Sequence, residues 1–328
     1  MELDELTRVE RIVYNDEMLR FEFEVFRCET QLISHYTSPQ GLLSILNERG
    51  DIVLWFSQYD SLNDRSERQN VITSLQKFID INIQNFPEAF ITFLQSFTLS
   101  DNIYIAYEND CSGDSEGNTS CHYNIKQKEC DTYLCCFSTS SDSLQMWNYY
   151  TKNNRYEGYS LSFISDFFEE AFSYGKGYKM TVAPVIYNEH RKMEIWEKLI
   201  FPLYEIYKTA TIEELYEIKF VIQNYISKLQ FLFKDECFMH ENEVRVILQI
   251  PKDMRKNTLT NISTRKYRTS NGYVIPYVEV KCHPNSCCCI TTAPLLEKEL
   301  AINNLTDMLI QYNHPNIKVY SSEIPIRF

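Results

Sequence analysis

The sequence predicts an α+β fold in which mixed or antiparallel sheets carry flanking helices. Short apolar runs rich in β-branched and aromatic residues, typical of strands, occupy Ile33 to Thr37, Ile52 to Ser57, Tyr133 to Phe137 and Val244 to Ile250. Longer amphipathic stretches lie between these runs, and no segment repeats at a period of roughly 20 to 50 residues. Short strands separated by helices in this irregular order favour an α+β domain.

We expect residues 1–328 to form a single extended domain with three additions to its sheet. Residues 1–30 carry apolar side chains at helical spacing, which predicts an N-terminal helical brace. Residues 108–131 are polar, small and nearly free of aliphatic side chains, which predicts an exposed loop. Residues 188–235 are rich in Leu, Ile, Tyr and Glu at helical spacing, which predicts an inserted pair of helices.

Composition narrows the function classes. The 328 residues carry 32 Lys and Arg against 45 Asp and Glu, a formal charge of −13, which argues against non-specific nucleic-acid binding. Lys252 to Arg268 is the strongest basic strip, either a local contact surface or a solvated hairpin loop. The chain has no run of about 18 apolar residues, and its first residues are acidic. We therefore expect a cytoplasmic protein with no membrane partner.

The 11 cysteines predict reduced structural thiols. None of them forms a Cys-x-x-Cys pair, and Cys287-Cys288-Cys289 lies in a predicted strand, where neighbouring side chains face opposite ways. His122 beside Cys121 and His283 beside Cys282 leave zinc as the alternative. We predict no metal site.

The first group of polar residues follows the first predicted strand. His35-Tyr36-Thr37 stands at the strand exit, and a short helix and a second strand ending near Ser57 come next. Loops held by a rigid scaffold commonly carry binding and catalytic groups. The alternatives are structural: His35 bonded to backbone at a strand end, and Asp64 with Glu67 forming a helix capping box.

Two further groups come later in the chain. Ser138-Thr139-Ser140 follows a predicted strand and precedes a helix with Trp147 and Tyr150, whose rings either face a cleft or fill the core. Glu241 and Glu243 stand two residues apart at the mouth of a strand, so both should project to one side. Arg245 then either faces a ligand or pairs with Glu243 in a buried bridge.

These groups carry a family resemblance. His-Tyr-Thr followed by Leu-Asn-Asp-x-x-Glu, Cys-Phe-Ser with Met-Trp, Glu-x-Glu-x-Arg-x-Ile and the closing Val-Tyr-Ser-Ser-Glu-Ile-Pro-Ile-Arg occur in the order of the bacterial domain-of-unknown-function 2971 family. The resemblance covers about residues 31 to 328. That family name implies no activity.

More distantly, the same groups resemble the ADP-ribosyltransferases, which implies an ADP-ribosyltransferase-like core with NAD as substrate. In that pattern Glu243 stabilises the charge that develops on the ribose, Glu241 faces the acceptor, and His35 bonds the adenosine-side ribose. The pattern gives Thr37 or Ser57 the phosphate or amide region, aromatic rings the nicotinamide, and Ser138 the orientation of Glu243. The contacts implied for NAD are Tyr36, Thr37, Ser57, Ser138, Ser140, Trp147, Tyr150 and Arg245.

The resemblance implies an enzyme that cleaves NAD to modify a macromolecule or hydrolyses it, in a toxin or phage-defence setting. The acceptor is not identified by the sequence. Two alternatives stay open. One is a non-catalytic nucleotide-sensing or interaction module that uses the same cleft. The other is a nuclease that uses Asp64, Glu67, Glu241 and Glu243, against which the charge of −13 counts.

Overall fold

The computed structural model describes residues 7–15, 32–61, 67–99, 103–113, 119–150, 157–170, 178–252, 260–270 and 272–325. These residues form a large mixed sheet with flanking helices, which confirms the α+β prediction. Within the described ranges, no helix is both long and apolar enough to cross a membrane.

The sheet is almost wholly antiparallel. Its main path runs β11-β10-β5-β1-β4-β2-β9-β8; β3 and β7 also pair with β4, and β6 pairs with β7. The pair formed by β10 and β11 is parallel. The strands are β1 (Leu32–Thr37), β2 (Ile52–Gln58), β3 (Ile103–Gly113), β4 (Thr119–Ser138), β5 (Tyr159–Ile164), β6 (Lys179–Pro184), β7 (Glu243–Pro251), β8 (Lys266–Ser270), β9 (Tyr273–Cys282), β10 (Cys287–Thr292) and β11 (Lys318–Ser321).

The helices lie between the strands. They are α1 (Arg8–Asn15), α2 (Pro39–Ile45), α3 (Gln69–Ile81), α4 (Glu88–Gln95), α5 (Leu144–Tyr150), α6 (Asp166–Glu170), α7 (Glu189–Tyr207), α8 (Ile212–Leu229) and α9 (Lys298–Gln311). Ser38 caps α2 by accepting a hydrogen bond from Gly41 N, and Pro39 opens the helix. A Cβ at Gly41 would lie 1.9 Å from Thr37 Oγ1, so the close turn after β1 requires glycine.

Two apolar cores support the site described below. The first lies on one face of the sheet and includes Ile33, Phe137, Leu161 and Val244. The second joins α3, α4, α7 and α8, and Val9 of α1 is buried in it. The predicted inserted helices are therefore α7 and α8, and their apolar stripes pack on helices rather than on the main sheet core. Of the brace predicted over residues 1–30, the structure describes only 7–15.

The exposed loop predicted over residues 108–131 is wrong. β3 and β4 form a hairpin there, with Ile103 paired to Glu129 and Gly113 paired to Thr119. An antiparallel ribbon forms its hydrogen bonds through the backbone, so it does not need the aliphatic side chains that this segment lacks. The polar composition was typical of a loop, but it also suits a ribbon that projects from a sheet.

Candidate functional site

The three predicted groups come from neighbouring strands. β4 lies between β1 and β7, and Ser138 at its end is opposite both Ser34 of β1 and Glu243 of β7. The end of β4 and the start of β7 therefore meet at one end of the sheet, whereas β1 begins at that end and runs away from it, so the chain that follows His35 leaves in the opposite direction. This convergence depends on antiparallel pairing between segments about 100 residues apart.

The structure nevertheless separates His35 from Glu243. Side chains alternate along a strand, and His35 is paired with Leu161, a residue of the sheet core, whereas Glu243 is paired with Ser138 on the other face. The His35 ring lies 5.5 Å from the Phe137 ring, and its Nδ1 lies 2.9 Å from Cys136 O. Burial lowers the pKa of His35, although the bond to Cys136 opposes this shift. These contacts match the structural alternative for His35, a histidine bonded to the backbone near a strand end.

Glu243 belongs to a buried ion cluster that we call the β7 charge cluster: Glu67, Lys234, Glu241, Glu243 and Arg245. Arg245 Nε and Nη2 donate to the two oxygens of Glu243 at 2.9 and 3.0 Å, and Nη2 also donates to Glu67 at 2.9 Å. Its Nη1 donates to Phe231 O at 2.8 Å. Arg245 is 2% exposed and Glu243 is 5% exposed, so this fork is closed to water.

Lys234 joins the three carboxylates. Its Nζ lies 2.6 Å from Glu241 Oε2, 3.0 Å from Glu243 Oε2 and 3.3 Å from Glu67 Oε1. Lys234 was not predicted as a site residue, although the sequence contains a signal for it. The residue ends the apolar run Phe231-Leu232-Phe233, and a lysine buried beside such a run needs a carboxylate partner.

The cluster holds the carboxylate of Glu243 ionised. Burial disfavours the charged form of Glu243, but the charge and hydrogen bonds of Arg245, together with Lys234, outweigh burial and lower its pKa to about 2. Burial likewise opposes the charge of Lys234, yet Glu243 and Glu241 raise its pKa. Three carboxylates face two cations, so the cluster has a net charge of −1 when all five groups are ionised.

Among the described residues, Glu241 Oε1 is the only carboxylate oxygen of the β7 charge cluster that has no hydrogen-bond or ion-pair partner. Lys234 binds Oε2 of Glu241, and no described residue bonds its Oε1. Tyr150 stands beside the cluster and is 42% exposed. Burial, Cys136 and the charges of Glu241 and Glu243 raise the pKa of the Tyr150 phenol. An acceptor oxygen and a phenol therefore border the cluster where it approaches solvent.

A left-handed residue sets the two glutamates side by side. Glu241 ends a 3₁₀ helix, Glu236–Glu241, and Asn242 has φ 45° and ψ 47° before β7 begins. The predicted strand alternation of Glu241 and Glu243 is therefore wrong, because Glu241 precedes the strand. Ser138 does not orient the Glu243 carboxylate: its Oγ donates to Glu241 O at 2.7 Å, which fixes the backbone of this turn.

The three aromatic residues expected to contact a nicotinamide ring differ in burial. Trp147 is 0% exposed, and its Nε1 donates to Asp142 at 2.7 Å. Tyr36 is 5% exposed, stacks edge-on against Trp147, and its hydroxyl donates to Ser140 O. Both rings are core, so neither stacks on a ligand. Tyr150 alone of the three is exposed.

The other expected contacts are scattered. Ser57 accepts a hydrogen bond from Arg268 and pairs with Leu134, which lies four residues, or about 13 Å, along β4 from Ser138. Ser140 donates its N–H to Ser138 Oγ and belongs to the turn. Thr37 is half-buried against Gly41. The structure brings together Ser138, Glu241, Glu243 and Arg245 with Tyr150, and leaves Ser57 and His35 apart.

Three of the four acids expected for a nuclease do meet, namely Glu67, Glu241 and Glu243, but each is paired with Lys234 or Arg245. Asp64 lies outside the described residues. Over the described ranges, no group of three or more His, Cys, Asp or Glu side chains is placed to hold a metal ion. Three of the four described cations of the basic strip are ion-paired, Lys252 with Glu129, Arg265 with Asp131 and Lys266 with Glu279, and the fourth, Arg268, donates to Ser57.

Comparison of the chain with models of protein families, with curated proteins and with solved structures finds no match in any of the three.

Proposed function

We propose that this chain is an ADP-ribosyltransferase-like enzyme that cleaves NAD and that the β7 charge cluster is its active centre. We also propose that the chain is related to the domain-of-unknown-function 2971 family. The observation that carries the proposal is the pairing of Ser138 with both Ser34 and Glu243. The second and third groups of the resemblance thereby share one end of the sheet, and the hydroxyl of Tyr36 from the first group reaches Ser140 O.

The charge of the cluster suits this reaction. When the bond between nicotinamide and ribose breaks, its electron pair leaves with nicotinamide and positive charge develops on the sugar. A fixed carboxylate beside that sugar stabilises the transition state more than the ground state. Glu243 stays ionised because its pKa is about 2, but it is closed to water, so it acts on the sugar through the groups that it holds and not by direct contact. The fork from Arg245 prevents this carboxylate from moving.

The proposal gives Glu241 and Glu243 different roles from those that the resemblance implies. Both oxygens of Glu243 are occupied, so Glu243 acts as the positioning residue that holds Lys234 and Arg245. Glu241 presents its Oε1 and is the catalytic residue of the proposal. Water or a nucleophilic side chain adds to the anomeric carbon and gives its proton to Glu241. Tyr150 is the ring placed to contact nicotinamide.

The test is nicotinamide release from labelled NAD by the purified chain. Glu241→Gln should lower the rate by about 100-fold, as for loss of a general base, while the protein stays folded because Glu243 and Glu67 still hold Lys234. Glu236→Gln is the matched control, since Glu236 is an exposed acid of the same 3₁₀ turn. Unchanged release in folded Glu241→Gln would contradict the proposal.

A second candidate is a module that binds a nucleotide without turnover. The full pairing of Glu243 by Arg245 and Lys234 favours it, because a carboxylate so occupied need not take part in chemistry. In this case NAD at 100 times its dissociation constant should stabilise the fold by about 2.7 kcal/mol, with no nicotinamide released. Thermal unfolding with and without NAD, run beside the release assay, separates the two candidates.

A further inference from the structure

A second site lies at the opposite edge of the sheet. A cavity of about 520 Å³ opens beside β10 and β11 and is lined by Cys288, Cys289, His314 and Lys318, among other residues. Three strands, β5, β1 and β4, separate this edge from β7. The proposed NAD reaction uses none of these residues.

Two neighbouring cysteines face each other in this cavity because β10 is irregular. Cys287 pairs with Phe163 and Cys289 pairs with Ser162, so the register shifts at Cys288. A bulge of this kind interrupts the alternation of side chains. The Sγ atoms of Cys288 and Cys289 lie 3.8 Å apart, and Ser162 O, 3.4 Å from Cys288 Sγ, is a second acceptor for the single proton of the Cys288 thiol. The expected placement of these two residues on opposite faces is therefore wrong.

The surroundings favour a thiolate at Cys289. Lys318 is directly opposite it in the parallel β10–β11 pair and makes no ion pair among the described residues. The hydrogen bond from Cys288 and the charge of Lys318 outweigh burial and lower the pKa of Cys289 to about 6. Burial lowers the pKa of the nearby His314, which keeps this imidazole neutral. No carboxylate lines the cavity.

The cavity brings two cysteines and a lysine together. Cys288 and Cys289 line it and are part-exposed, and Lys318, which also lines it, is exposed. His314 lines the cavity as well, but its Nε2 is closed to solvent and offers no hydrogen bond to a molecule there.

We propose that Cys289 is a modification site that reacts with low-molecular-weight disulfides carrying a carboxylate, with Lys318 binding that carboxylate. The thiolate of Cys289 attacks one sulfur of the disulfide. The bond between the two small-molecule sulfurs breaks, a mixed disulfide forms at Cys289, and the second sulfur leaves as a thiolate. The incoming disulfide is the oxidant, so no other is needed: the Cys289 sulfur is oxidised to the disulfide level and the departing sulfur is reduced to a thiolate.

The experiment uses the full reduced chain and oxidised glutathione, with peptide mass mapping to follow each cysteine from pH 5 to pH 9. Cys237 is the internal standard: it is fully exposed, but its hydrogen bond to Asp235 raises its pKa. At pH 6 Cys289 should react about tenfold faster than Cys237, despite its lower exposure, because more of it is thiolate.

Three variants complete the test. Cys289→Ser should abolish the fast reaction, and Cys237→Ser should leave it unchanged. Lys318→Gln, which alters an exposed side chain and spares the fold, should move the inflection of the Cys289 pH profile upward from about pH 6. Faster labelling of Cys237 than of Cys289 at pH 6, or a Cys289 profile that Lys318→Gln does not move, would overturn the proposal.

Discussion

The two faces of β7 are stabilised in different ways. Val244, Val246 and Leu248 point into the sheet core and are fully buried among apolar side chains. Glu243 and Arg245 alternate with them and are buried as deeply, yet each depends on named partners. The apolar face needs suitable volume, whereas the charged face needs every charge to keep its counterion. β7 should therefore tolerate substitutions better on its apolar face than on its charged face.

The largest expected effect comes from Arg245→Met, which keeps an unbranched apolar side chain and removes the guanidinium charge. Glu243 and Glu67 then lose their shared cation in a closed site, so the free energy of unfolding should fall by about 4 kcal/mol in urea titrations. The double variant Arg245→Met with Glu243→Gln should recover part of the loss. If it recovers none, the arginine contributes through packing and the contrast between the faces is lost.

Acid should weaken the charged face next. The pKa of Glu243 is about 2 in the folded protein against an ordinary 4.5, so its stabilising contribution is complete above pH 4.5 and is lost as pH falls towards 2. The difference corresponds to about 3 kcal/mol. Urea titrations between pH 2 and pH 6 measure it. Glu243→Gln should show a correspondingly shallower loss in that window, and an equal slope in both proteins would refute the assignment.

The apolar face should give the smallest effect. Val246→Ala removes two buried methyl groups, so the free energy of unfolding should fall by about 2 kcal/mol through lost burial and a small cavity. This loss should be the same at pH 3 and pH 6, because no titrating group is involved. A loss that changes with pH would show that the two faces are coupled through the strand.

Short apolar runs made most of the sheet predictable. The runs from Ile33, Ile52, Tyr133 and Val244 all became strands, since their length and their β-branched and aromatic content are local signals. The β3–β4 hairpin was missed because its polar composition is shared by loops and by projecting ribbons. The inserted helices were predictable from their own apolar spacing, whereas their packing on α3 and α4 was not.

The site was only partly predictable. The bridge from Glu243 to Arg245 follows from two residues on one strand face, and it was foreseen as an alternative. The roles of Glu67 and Lys234 depend on where α3 and the end of α8 pack, which no local pattern specifies. His35 was misplaced because a strand-end residue can face either side of a sheet until its register is known. The facing of Cys288 and Cys289 was missed because a bulge leaves no mark in an all-cysteine run.

Asn242 links the handedness of the backbone to the electrostatics of the interior. Its positive φ reverses the chain between a helical turn and a strand, a conformation that asparagine adopts more readily than branched residues. Because of that reversal, two acids separated by a single residue approach one ammonium group from different directions. A segment with the same Glu-x-Glu spacing in an unbroken strand would present its acids in parallel, and it would need a second counterion. The tripeptide thus encodes charge sharing through conformation, and spacing alone would not reproduce it.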